Sequence, residues 1–135
     1  MTTPPSAFPD VEKLVVDVLK ADPALAGATI AAQAPAGFDG TAKAVLVNRR
    51  GGAWIGDLHV DKPLIEFEVY GPTKTDAHVL ANAARKALLA TIGKQLGANF
   101  VSDVDEQDGP RWMPDYLYRG ANRYLCVIQL SLNVF

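Results

Sequence analysis

The stretch Asp61–Ala90 (DKPLIEFEVYGPTKTDAHVLANAARKALLA) constrains the fold of this chain more than any other. Ile65, Phe67 and Val69 alternate with Glu66, Glu68 and Tyr70, the period of a strand that presents one face to a core. Gly71-Pro72 stops that strand. Ala77, Leu80, Ala81, Ala84, Leu88 and Thr91 then recur at helical spacing, with Lys74, Asp76, Asn82, Arg85 and Lys86 mostly elsewhere. A strand, a tight break and an amphipathic helix bury their apolar sides together. The small residues Ala77, Ala81, Ala83, Ala84 and Ala87 let the helix lie close on a sheet. The unit carries packing and no catalytic pattern, so it reads as scaffold.

The remaining segments extend that scaffold. Residues 1–8 form a polar, Pro-containing lead expected to be mobile, ahead of one domain over residues 9–135. Asp10 caps a helix whose apolar stripe is Val11, Leu14, Val15, Val18 and Leu19, and Asp22-Pro23 ends it. Ala28–Ala32 is weakly strand-like, Ala34–Thr41 is a Pro/Gly loop, and Ala44–Arg49 is a strand. Gly51–Lys62 reads as a loop holding Trp54 and His59, and Gly93 as a helix C-cap. Phe100–Glu106 alternates as an edge strand, and Asp108–Gly120 (DGPRWMPDYLYRG) reads as an aromatic-rich arm. In the closing strand, Arg123–Phe135, one face takes Tyr124, Cys126, Ile128, Leu130, Leu132 and Val134. The order of elements predicts an α+β domain: a mostly antiparallel, five-stranded sheet with two main helices packed on one face. The other face, with Leu64, Glu66, Glu68, Tyr70, Leu125 and Val127 as its occupants, mixes apolar and charged groups as a subunit contact does.

Composition narrows the function classes. With 135 residues, 49% of them hydrophobic, the chain is long and apolar enough to bury a core. Thirteen basic against fifteen acidic residues (net charge -2) give no electrostatic case for coating nucleic acid. The one cysteine, Cys126, has no internal disulfide partner, which suits a reducing compartment. The opening residues MTTPPSAFPD lack the basic and apolar regions of a signal peptide, and no apolar run approaches the roughly 20 residues of a membrane helix.

Catalytic and metal patterns are missing. His59, His78 and Cys126 make no zinc spacing. The run Asp103–Gly109 begins like a calcium loop, but its glycine falls one place late and Pro114 stands where the bidentate glutamate belongs. Cys126 lies in an apolar alternation, as a core thiol does. No metal, cofactor or catalytic residue is expected. Arg49-Arg50-Gly51-Gly52 reads as a solvated turn, with anion binding or an interfacial salt bridge as its functional reading. Trp112, Met113, Tyr116, Leu117 and Tyr118, with Arg111, read as an interface or as an arm folded back on its own core.

Taken together, these segments resemble the tail terminator proteins of long-tailed, non-contractile (siphovirus-type) bacteriophages. The resemblance runs from the Pro9-Asp10-Val11-Glu12 helix through Asn48-Arg49-Arg50-Gly51-Gly52 and DKPLIEFEVYG with its Ala-rich helix. It ends with the Gly109-Pro110 and Met113-Pro114-Asp115 loop leading to Arg123-Tyr124 and the last strand. It implies a non-enzymatic virion protein of the tail or neck, made in the host cytoplasm, that closes into a ring, typically a hexamer. Its partners would be further copies of itself, the major tail tube protein, the head–tail connector or neck proteins, and DNA passing through the lumen; no membrane is implied. Ring closure needs two different patches per subunit. The last strand with Arg111, Trp112, Met113, Tyr116 and Tyr118 would supply one, and Trp54, His59 and the open sheet face the other. Arg49, Arg50 and Lys62 are the candidates to face a pore or an anion. Another neck or completion protein is the alternative within that class. Outside it stands a small ligand-binding or enzyme domain using the Trp54 and His59 loop as a pocket wall.

Overall fold

Helices α1 (Val11–Lys20) and α2 (Lys74–Leu89) lie on one face of a curled sheet in the computed structural model, which describes residues 9–55, 59–114, 118 and 120–134. The sheet has six strands: β1 (Thr29–Ala31), β2 (Ala44–Ile55), β3 (Val60–Gly71), β4 (Gln95–Leu96), β5 (Asn99–Trp112) and β6 (Asn122–Val134). Their spatial order is β1-β2-β3-β6-β5-β4, antiparallel throughout except for the β1–β2 pair. The expected α+β class holds, with one strand more than the sequence suggests. The lead at residues 1–8, Tyr116 and Phe135 lie outside the described residues.

The core forms where the alternating strands meet the helices. Val45, Val47, Ile65, Phe67, Val69, Cys126, Ile128, Leu130 and Leu132 are buried under Val15, Leu19, Leu80, Ala84 and Leu88. Each large side chain so buried contributes about 1.5–3 kcal/mol before conformational entropy is subtracted. Ala77, Ala81 and Ala84 have no exposed surface, so small side chains do bring α2 close to the sheet. At the strand–helix junction a Cβ on Gly71 would meet the Ala77 amide nitrogen at 2.7 Å, so no larger residue fits that approach. In α1, Val16 is buried whereas Leu14 and Val18 of the expected stripe are half-buried. Asp10 Oδ1 accepts from the Lys13 amide at 3.2 Å, and Thr73 Oγ1 from the Asp76 amide at 3.1 Å, capping the two helices.

Two segments that read as loops are strand. β2 continues through Gly51 and Gly52 to Ile55, and β3 starts at Val60, so the expected Gly51–Lys62 loop is a hairpin stem. The glycines serve a bulge: the register shifts between Arg49 and Gly52. Gly52 has φ 111°, and a Cβ there would stand 2.1 Å from the Lys62 carbonyl oxygen. Likewise β5 does not stop at Glu106 but runs to Trp112, absorbing Asp108-Gly109-Pro110 through further register shifts. Arg111 and Trp112 therefore belong to a strand, whereas the arm was expected to start at Asp108. β6 lies in the middle of the sheet, paired with β3 on one side and β5 on the other.

Candidate functional site

Asp61 and Arg49 set the base of the β2–β3 hairpin. Stepping back two residues at a time from Ile65 puts Asp61 on the core face of β3, where it has no exposed surface. A carboxylate there needs a cationic partner. Arg49 supplies it in a two-pronged pair, Nη1 to Oδ2 and Nη2 to Oδ1, each 2.7 Å. Arg49 Nε donates to the Gly51 carbonyl at 3.0 Å, and its amide donates to Glu12 Oε2 at 2.8 Å, tying α1 to the edge of β2. The guanidinium of Arg49 is thus committed within the subunit. Arg50 behaves differently: it pairs with Glu66 at 3.2 Å on the face away from the helices and leaves 54% of its side chain exposed. Lys62 is half-buried, and its carbonyl accepts from Gln129 Nε2 at 3.3 Å. Trp54 and His59 meet across the hairpin, ring centroids 6.1 Å apart, beside exposed Ile55.

The sheet face away from the helices is divided. At one end Phe38, Tyr70 and Tyr118 form a three-ring cluster of edge-on contacts at 5.1, 5.2 and 5.9 Å, over Ala44, Leu46 and Ala121. Beyond it the face carries paired charges: Arg123 Nη1 lies 3.7 Å from Glu68, and Arg123 Nε donates to the Met113 carbonyl at 2.8 Å. Leu125 and Val127 lie between these groups, nearly covered by their neighbours.

The residues expected in one aromatic arm separate. Trp112 is half-buried against the core, its ring 5.5 Å from Tyr124, with Lys74 Nζ 4.5 Å above it. His78 approaches the same tyrosine at 5.3 Å. Tyr118 joins the three-ring cluster instead. Arg111, paired with Asp108 at 3.4 Å, and Met113, 42% exposed, remain outward. Of the described candidates, Arg50, Trp54 and His59 lie on the β2–β3 hairpin and Arg111 with Met113 on the β5 side, with β6 between, while Tyr118 stands apart in the three-ring cluster. The Arg49–Asp61 pair was missed by sequence reasoning, although the two-residue period of β3 points to it.

Burial pushes the Cys126 thiol up to about 12, so it remains protonated, as a core residue does. Among the described residues, no cluster of three His, Cys, Asp or Glu side chains is placed to hold a metal, and no buried side-chain polar atom lacks a hydrogen-bond partner. Nor, among them, is any helix long and apolar enough to cross a membrane. The surfaces instead offer exposed apolar groups, paired charges and strand edges.

Residues 7–121 match the protein family described as phage tail termination protein, a span that runs from the start of α1 through the β2–β3 hairpin, α2 and β5. No curated protein matches the chain.

Proposed function

The chain belongs to the phage tail termination protein family, a structural family of the phage tail, and on that membership we propose that it closes into a ring that caps the tail tube. The ring, a hexamer, ends polymerisation of the major tail tube protein and offers its far surface to the connector proteins of the head. DNA passes through its lumen. The protein so acting is part of the virion tail.

The observation that carries this reading is the extent of the family match, which takes in both helices and every strand before β6. The form of the subunit supports it. Its exposed candidates sit at two separate places, as heterologous contacts require, and a ring is what such contacts build when the rotation closes. Arg50, the most exposed of the three basic candidates, is the one available to line a lumen. The deciding experiment is a phage that lacks this protein. Tails of uncontrolled length that fail to join heads are the expected outcome. Tails of normal length that still fail to join heads would reassign the protein to another neck role.

A further inference from the structure

Both outer long strands of the sheet run past their partners. β1 pairs only with Ala44, Val45 and Leu46 of β2, and β4 only with Asn99 and Phe100 of β5. The Gly93–Lys94 turn bonds Val101, and Glu12 takes the Arg49 amide. Otherwise, among the described residues, no strand lies along the outer side of β2 from Val47 to Ile55 or of β5 from Ser102 to Trp112. Within these stretches the Gly51 carbonyl accepts from Arg49 Nε and the Val104 amide donates to Asp103 Oδ1, and an edge with no strand beside it is a place where another chain can pair.

The two edges differ in charge. β2 carries Arg49 and Arg50 and no acidic residue. β5 carries Asp103, Asp105, Glu106 and Asp108 against Arg111 alone. Glu106 is held by Arg85 of α2 and Asp108 by Arg111, whereas Asp103 and Asp105 are exposed. Two copies meeting β5 to β5 would bring those carboxylates together, which disfavours a two-fold dimer through that edge. Arg49 is committed to Asp61, so an acidic edge meeting another copy is drawn to Arg50, which keeps 54% of its side chain exposed beside Glu66.

Direction agrees with charge. β2 is antiparallel to β3, β3 to β6 and β6 to β5, so β2 and β5 run in opposite senses. A neighbour turned about an axis along the strands keeps that sense and presents its β2 antiparallel to β5. The join would continue the ladder that already builds the sheet.

We propose that subunits join edge to edge, the acidic outer side of β5 on one copy against the outer side of β2 on the next. This rests on the ring reading above and specifies its contact: a head-to-tail pairing in which each subunit uses both edges once.

The test is charge reversal followed by mixing. One variant carries Asp103→Lys and Asp105→Lys, the other Arg50→Glu, and light scattering reads the assembly of each at low salt. All three positions are exposed, so melting temperatures should stay near the parent's. Each variant alone should associate on the order of 10-fold more weakly than the parent, and an equimolar mixture should recover assembly, since each supplies the edge the other lacks. A second measurement is independent of those charges. In a Cys126→Ala background, Ala53→Cys with Asp105→Cys on one chain should give a ladder of disulfide-linked oligomers on oxidation, while either cysteine alone gives no ladder. Parent-like assembly of both variants with no ladder overturns the edge pairing and leaves the ring standing; β5's acids then serve only to keep a bare edge from aggregating. A parent protein that stays monomeric at every concentration, with and without tail tubes, overturns the ring and the edge pairing together.

Discussion

Strand β3 sends Ile65, Phe67 and Val69 beneath the helices and Glu66 and Glu68 to the opposite face. The first set is fully buried in the apolar core; the second is half-exposed and meets arginines from β2 and β6. One strand thus serves two purposes separated by a single residue. Stability and contact therefore reside on different faces of the sheet. The helix face is held by burial, which is large and insensitive to which partners are present. Partly exposed ion pairs add little to stability, so the other face is free to change its charges without unfolding the subunit.

Four substitutions test that division, beginning with the deepest. Phe67→Ala empties the centre of the helix face and should lower unfolding free energy by about 3–5 kcal/mol in a denaturant titration. A loss under about 1 kcal/mol would show that this face is not the core. Asp61→Asn leaves the Arg49 guanidinium, 19% exposed, without its anion. A loss of about 3 kcal/mol is expected, with faster amide exchange confined first to the β2–β3 hairpin. Uniform exchange across the sheet would mean that the pair does not act locally. Tyr118→Ala removes one ring of the cluster over the opposite face and should cost about 1–2 kcal/mol, read from the shift in melting temperature. Glu66→Gln should change stability by no more than about 0.5 kcal/mol. If Glu66→Gln proved as costly as Asp61→Asn, the distinction between the faces would fail.

Much of the helix face was legible because its signal is periodic. Ile65-Phe67-Val69, the alternation from Tyr124 to Leu132, and the alanine and leucine positions of α2 each repeat with the spacing of their element, and each lies where that spacing puts it. The missed pieces share a physical cause. Gly51-Gly52 and Asp108-Gly109-Pro110 have the composition of turns, yet in the sheet they are accommodated by bulges, whose local cue is the same glycine that signals a break. The interface candidates carry a signal that does not repeat. Trp112 and Tyr118 stand close in sequence, but Trp112 closes over Tyr124 while Tyr118 crosses to Phe38 and Tyr70. Aromaticity marks both as groups that avoid water without saying what shields them. The ion pair of Arg49 with Asp61 was readable only by carrying the β3 period past Pro63, through a segment whose glycine-rich surroundings read as loop.

The central place of β6 bears on how the protein is born. β3 and β5 have no ladder with each other; each pairs with β6, which follows both in the chain. During synthesis the β2–β3 hairpin and α2 can form as they emerge, but the sheet has a gap down its middle until β6 arrives. A nascent chain cut short before Asn122 holds two half-sheets with bare inner edges, and a subunit reaches its finished shape only after translation has passed this strand.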